Sequence, residues 1–134
     1  MGTKFDTLTT VGLLAGEHRY DEVRHFYRPD VRGWSPSYEF EGVDAWVDLL
    51  RAQNDPFSDI VTEQQLVAET DTSVVTEWTW TATHTGAIDA GGFELPATGK
   101  CVTLRGMAVF EFADDKVAGF RQYWDSAGFA AQFA

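Results

Sequence analysis

Ser73 to His84 reads S-V-V-T-E-W-T-W-T-A-T-H, and its alternation decides the fold class. Side chains of a strand point to opposite faces in turn. Val74, Trp78, Trp80, Ala82 and His84 therefore share one face, and Glu77, Thr79, Thr81 and Thr83 share the other. One face is apolar and ends in an imidazole; the other is polar. Downstream, Lys100 to Phe112 and Lys116 to Asp125 carry the same β-branched and aromatic character, and Asp114-Asp115 between them has the chemistry of a tight hairpin turn. Upstream, Ile60 to Glu69 follows Pro56 as another strand. Gly86 to Gly99, with adjacent Gly91 and Gly92 and with Pro96, reads as a longer loop.

Before Pro56 the period changes. Phe5, Leu8, Val11 and Leu14 recur at helical spacing from Lys4 until Gly16, which predicts a first helix. Tyr20, Val23 and Phe26 predict a second over Arg19 to Tyr27, with Asp21 and Glu22 in its first turn and Pro29 forbidding its continuation. Val31 to Phe40 is aromatic and broken by Gly33 and Pro36, so it reads as a short strand and a turn. After Gly42, Val43, Trp46, Val47 and Leu50 form the apolar stripe of a third helix, with Asp44 and Asp48 outside it. Helices first and strands afterwards make an α+β fold whose sheet uses the helices to cover one face.

A chain of 134 residues has surface to bury for one core, so a single domain over 1–134 is expected. Twenty-one acidic residues against ten basic ones give a net charge of -11, whose field repels nucleic acid and acidic membranes. No apolar run approaches the roughly 18 to 20 residues of a membrane span, and no basic-then-apolar leader opens the chain. Cys101 is the only cysteine, so an intrachain disulfide is impossible. Cytoplasmic residence is the expectation.

Strand parity sorts the residues that carry chemistry. Val102, Leu104, Gly106, Ala108 and Phe110 oppose Cys101, Thr103, Arg105, Met107, Val109 and Glu111; Arg121, Tyr123 and Asp125 oppose Phe120, Gln122 and Trp124. Trp78 and Trp80, with Trp34 and Trp46 on neighbouring elements, read either as core or as the lining of an apolar ligand pocket. Asp125 reads either as the cap of a C-terminal helix over Ser126 to Phe133 or as a carboxylate at a pocket floor. His84 is either a general base or a residue bonded to the loop that follows it. Neither the histidine spacing nor the cysteine count suits a metal, no glycine-rich phosphate loop exists, and Ser35 is not in a nucleophile-elbow motif, so no metal and no cofactor is expected.

Four strings then carry a resemblance: A-G-E-H-R-Y-D-E-V-R-H-F-Y-R-P-D-V (Ala15 to Val31), Y-E-F-E-G-V-D-A-W (Tyr38 to Trp46), T-H-T-G with P-A-T-G-K (Thr83 to Gly86, Pro96 to Lys100), and V-F-E-F-A-D-D-K-V-A-G-F-R-Q-Y-W-D (Val109 to Asp125). Their order and spacing resemble the SnoaL-like polyketide cyclase group of the nuclear transport factor 2-like superfamily. The resemblance implies a cone-shaped fold in which a curved mixed sheet wraps three N-terminal helices around a deep pocket, and a homodimer formed through the outer sheet face.

It also implies an Asp on the final strand acting as acid/base in an intramolecular aldol closure, a place that Asp125 fills. Limonene epoxide hydrolase relatives need an Arg and an Asp where Trp78 and Trp80 stand here, and ketosteroid isomerase relatives need groups where Trp34 and Thr9 stand, so neither mechanism suits this chain. The expected function is that of a small-molecule enzyme acting on a polyketide-like or other cyclic apolar substrate. Its expected site has Asp125 and His84 as catalytic groups, Trp34, Trp46, Trp78 and Trp80 as walls, and Arg105 and Tyr123 within reach. The alternative is a non-catalytic protein of the same fold that binds a hydrophobic small molecule.

Overall fold

A computed structural model describes residues 3–89 and 94–134. Helix α1 (Lys4–Gly16) starts at a reciprocal cap in which the Thr3 hydroxyl accepts from the Asp6 N–H and the Asp6 carboxylate accepts from the Thr3 N–H. Leu8, Val11 and Ala15 are its buried stripe, with Phe5 and Leu14 partly buried beside it. The left-handed residue after the helix is His18, at φ 62°, rather than Gly16. Gly16 serves another end: a Cβ there would lie 3.1 Å from the Ile60 carbonyl oxygen, so its bareness lets α1 lie close on the sheet.

The predicted second helix is shorter than the sequence suggests. Helix α2 (Tyr20–Val23) passes into a single 3-10 turn, Arg24–Phe26, and Tyr27 already begins strand β1 (Tyr27–Ser35). Pro29 biases the preceding residue toward extended backbone, and the strand accommodates it at the irregular stretch between Tyr27 and Arg32, where register with its parallel neighbour, Val117 to Arg121, shifts. Strand β2 (Tyr38–Glu41) returns from a turn in which the Ser35 hydroxyl accepts from the Ser37 and Tyr38 N–H groups. Helix α3 (Val43–Asn54) follows with Trp46, Val47, Leu50 and Asn54 buried.

The strand region follows the sequence expectation closely. Strands β3 (Phe57–Glu69), β4 (Ser73–His84), β7 (Cys101–Ala113) and β8 (Lys116–Trp124) form, and Ser126–Ala131 makes a short terminal helix, α4. Asp114 and Asp115 both take positive φ, 52° and 64°, the backbone that a two-residue hairpin turn demands. The expected long loop holds a small ladder of β5 (Ile88–Asp89) with β6 (Glu94–Leu95); its adjacent glycines lie outside the described residues.

Six strands pair in the order β2-β1-β8-β7-β4-β3, antiparallel except for β1 with β8, so the sheet is mixed. Register breaks in β3 at Ser58/Val61 and Leu66/Ala68, and between β7 and β8 at Glu111/Phe112, curve it around the helices. The main core lies between α1, α3 and the concave face, from Leu8 and Val47 to Val74, Ala108 and Phe120. A second cluster of Phe57, Ala82 and Val102 with Ile60, Trp80, Ile88, Phe129 and Phe133 closes one end. No helix among the described residues is long and apolar enough to cross a membrane.

Candidate functional site

The helices do not fill the space under the sheet. A cavity of about 630 Å³ remains between α1, α3 and the concave face, in the range of small-molecule sites. Its wall is a run of aromatic rings: Trp46, backed from outside the cavity by Phe40 at 5.3 Å, lies 5.8 Å from Tyr38, Tyr38 lies 6.1 Å from Trp124, and Trp124 lies 6.1 Å from Trp78. Trp80 continues the lining toward the second cluster, edge-on to Phe57 at 4.9 Å and 6.0 Å from Phe129. Strand parity builds this wall, because Trp78 and Trp80 share the concave face of β4 as Gln122 and Trp124 share that of β8.

A few polar groups interrupt it. Gln122 Nε2 donates to the Tyr38 hydroxyl at 3.1 Å. Burial pushes the Tyr38 phenol up to about 12, so at neutral pH it is a hydrogen-bond donor and not a base. Gln64 Nε2 donates to the Leu8 carbonyl at 3.0 Å, and Asn54 Nδ2 to that of Ala15 at 3.1 Å. Trp78 Nε1 and Gln64 Oε1 are buried without a hydrogen-bond partner, and the Trp46 indole is directed at the Tyr27 hydroxyl. Among the described residues that line the cavity, the one charged side chain is Asp89, which is exposed on β5. No group of three His, Cys, Asp or Glu among the described residues is placed to hold a metal.

The residues expected from the sequence divide. Trp46, Trp78 and Trp80 line the cavity together. Trp34 does not: β1 turns Val31, Gly33 and Ser35 inward and Trp34 outward, where its ring lies 5.2 Å from that of Tyr123. Tyr123 is on the convex face for the same alternating reason, opposite Met107. Arg105 is exposed on that face as well, opposite Thr79.

Both expected catalytic residues lie elsewhere too. Asp125 is exposed, and its carboxylate accepts from the Gly128 N–H at 2.9 Å as the N-cap of α4. It is the helix cap, not the pocket floor. His84 has 0% exposure and does not line the cavity. Its Nδ1 accepts from the Thr98 N–H at 3.2 Å and lies 2.9 Å from the Thr98 hydroxyl, while the rings of Phe133 and Phe57 pack against it at 5.1 and 5.5 Å. The loop before β7 and the C-terminus thus seal His84 away from both solvent and cavity, as a core residue pinned to its loop.

Tyr38, Gln122, Trp124 and Gln64 are the site residues that the sequence reading passed over. The parity of β8 already set Gln122 and Trp124 beside Phe120, against Arg121 and Tyr123, and was the signal available for those two.

A family model described as SnoaL-like polyketide cyclase matches residues 8–133. Among solved structures, the chain is similar to a protein provisionally assigned as a polyketide cyclase from Acidithiobacillus ferrooxidans, at 27% identity, TM-score 0.81 and coverage of 99% of this chain and 96% of that one. A SnoaL-like polyketide cyclase from Agrobacterium tumefaciens matches at 18% identity and TM-score 0.75 over 100% of both chains. An NTF2-like protein of unknown function from Exiguobacterium matches at 19% identity and TM-score 0.69, over 93% of this chain and 100% of that one. Among curated proteins none matches this chain.

Proposed function

Since the chain belongs to the SnoaL-like polyketide cyclase family, we propose that its cavity takes up an apolar, polyketide-like molecule and promotes ring closure within it. The observation that carries this reading is the Tyr38–Gln122 pair set in an aromatic cavity. Gln122 donates to the phenolic oxygen and leaves the phenol hydrogen for a substrate carbonyl. In the closure, the enol carbon of a 1,3-dicarbonyl segment attacks a second carbonyl and a C–C bond forms. The electron pair of the C=O bond moves onto its oxygen, and the enol proton passes to that oxygen through water. Tyr38 stabilises the charge developing there, and a preorganised donor of this kind contributes about 10²-fold or more in rate. Confinement between aromatic walls supplies the folded conformation. A substrate already enolised needs no strong base, which fits a cavity whose one lining carboxylate among the described residues, Asp89, is exposed.

The absence of a buried carboxylate or imidazole among the described lining residues favours a second reading, a protein that sequesters such a molecule without converting it. Incubation with an aromatic triketone able to close by an aldol step separates the two. Closure faster than in buffer, lowered about 10²-fold by Tyr38→Phe with little change in substrate affinity, supports the enzyme. Tight binding with no acceleration leaves the binding protein.

For the assembled state we propose a homodimer through the convex sheet face, where Trp34, Met107 and Tyr123 are 39%, 40% and 45% exposed. Exposed aromatic and methionine side chains in a polar surround are what buried interface centres use.

A further inference from the structure

Strand β7 begins before its β8 neighbour reaches it. The β7–β8 ladder ends at Gly106 opposite Trp124, whereas β7 starts at Cys101, so the β8 side of Cys101 to Arg105 has no strand beside it. An open edge of this kind leaves N–H and C=O groups to be paired. The side chain of Gln132 fills the place at Thr103: its Oε1 accepts from the Thr103 N–H at 2.8 Å, and its Nε2 donates to the Thr103 carbonyl at 2.6 Å. One side-chain amide thus does what a peptide group of a neighbouring strand would do.

This pair holds a segment that has little else to hold it. From Ser126 to Ala134 no residue is buried; Phe129, Gln132 and Phe133, spaced three and four apart on one face, are the partly covered ones. Lys100 Nζ also donates to the Ala134 carbonyl. A helix as short as α4 has too few internal bonds to persist without its contacts, and segments with few buried contacts open locally at low free-energy cost. Yet this segment closes one end of the cavity. Phe129 lines it, 6.0 Å from Trp80, and Phe133 packs beside Phe129 at 5.2 Å. Every other aromatic residue described in the lining stands on α3 or on the six-stranded sheet.

We propose that Ser126 to Ala134 is the gate of the cavity, swinging from Asp125 and latched by the Gln132–Thr103 pair, so that a ligand enters and leaves when Phe129 is lifted from the wall. This rests on the proposed small-molecule role of the cavity and adds the route by which the cavity is reached. Gln132 is not part of the lining; it sets how often the route opens.

Breaking the latch raises the open fraction in the free and the occupied protein alike, so both rates rise and the affinity stays. The probe is N-phenyl-1-naphthylamine, an uncharged dye whose emission rises in apolar surroundings, mixed with the protein by stopped flow. With dye in excess, the observed rate does not depend on how much of the protein is folded. In Gln132→Ala, association and release are both expected to be faster by about tenfold, the effect of losing a pair of neutral hydrogen bonds, with Kd unchanged. Gln132→Glu, which keeps an acceptor for the Thr103 N–H but sets an oxygen against its carbonyl, is expected to act in the same direction. Hydrogen exchange without dye reads the gate by itself: the Phe129 and Phe133 amides, bonded within the segment, should exchange through a local opening, well ahead of amides in the β4–β7 ladder. Unchanged rates in both variants, faster release alone with a matching loss of affinity, or exchange of the segment in step with the ladder overturns the gate and leaves the binding cavity in place. If the parent protein binds no dye, the small-molecule reading itself falls, and the gate with it.

Discussion

Trp78 and Gly106 sit directly across the β4–β7 ladder from one another, and the indole lies where a side chain at 106 would be. A Cβ built on Gly106 would come within 2.5 Å of Trp78 Cζ2 and 2.6 Å of the Tyr123 carbonyl oxygen. The backbone contact cannot yield by rotating a side chain, so Gly106→Ala must shift both the ring and the ladder. It is expected to cost about 1–3 kcal/mol, the range for overpacking a filled site, and to weaken ligand binding as the indole is displaced. Urea denaturation and fluorescence titration check this; a fully stable variant with normal affinity would show that Trp78 is free to move.

Asp125 caps α4, and this gives a different expectation from that of an acid/base residue. Asparagine caps a helix about as well as aspartate, whereas alanine costs about 1 kcal/mol. Asp125→Asn should therefore match the parent in both turnover and melting temperature, while Asp125→Ala lowers stability and leaves the rate per folded molecule unchanged. A loss of turnover of 10²-fold or more in Asp125→Asn, as removal of a general acid/base would give, would return Asp125 to the catalytic site.

These two positions show what alternation does and does not tell. The sequence pattern of β8 grouped Asp125 with Arg121 and Tyr123, away from Phe120, Gln122 and Trp124, and the structure keeps that grouping. Of the two readings that the residues leave open for Asp125, helix cap and pocket carboxylate, the resemblance favours the second, against the strand's own parity. His84 teaches the converse, since it does share the concave side with Ala82. What covers it is Thr98 and Phe133, remote in sequence and invisible to local spacing. Tyr38 and Gln122, 84 residues apart, meet only because β2 and β8 flank β1. Trp34 falls on the convex face, a placement that local spacing does not reveal because Gly33 and Pro36 break the alternation on either side of it.

The convex face predicts assembly. Light scattering at micromolar concentration should give twice the chain mass of 14.9 kDa, and Trp34→Glu, which sets a charge beside the Tyr123 ring, should return the mass to that of one chain. The substitution lies on the face away from the cavity, so ligand affinity should persist. A single-chain mass for the parent protein removes the proposed dimer.

The buried phenols predict how stability responds to alkali. Burial raises Tyr38 from 10.0 to about 12, and Tyr20 and Tyr27 are raised further, again with burial as the largest cause. In the unfolded chain these groups lose their protons near pH 10, whereas in the folded chain they keep them. Above that pH the unfolded state binds fewer protons, so unfolding stability falls as pH rises, by up to about 1.4 kcal/mol per pH unit for each group. The contribution is complete below pH 10 and is lost as pH climbs through the folded values. Tyr38→Phe removes one titrating group, so its urea midpoint should decline less steeply between pH 10 and 12 than that of the parent. Tyrosinate absorbance near 295 nm provides the independent check. If all four tyrosines of the folded protein ionised together near pH 10, Tyr38 would be solvated, and it would lose the low-dielectric surroundings that make its hydroxyl an effective donor to a substrate carbonyl.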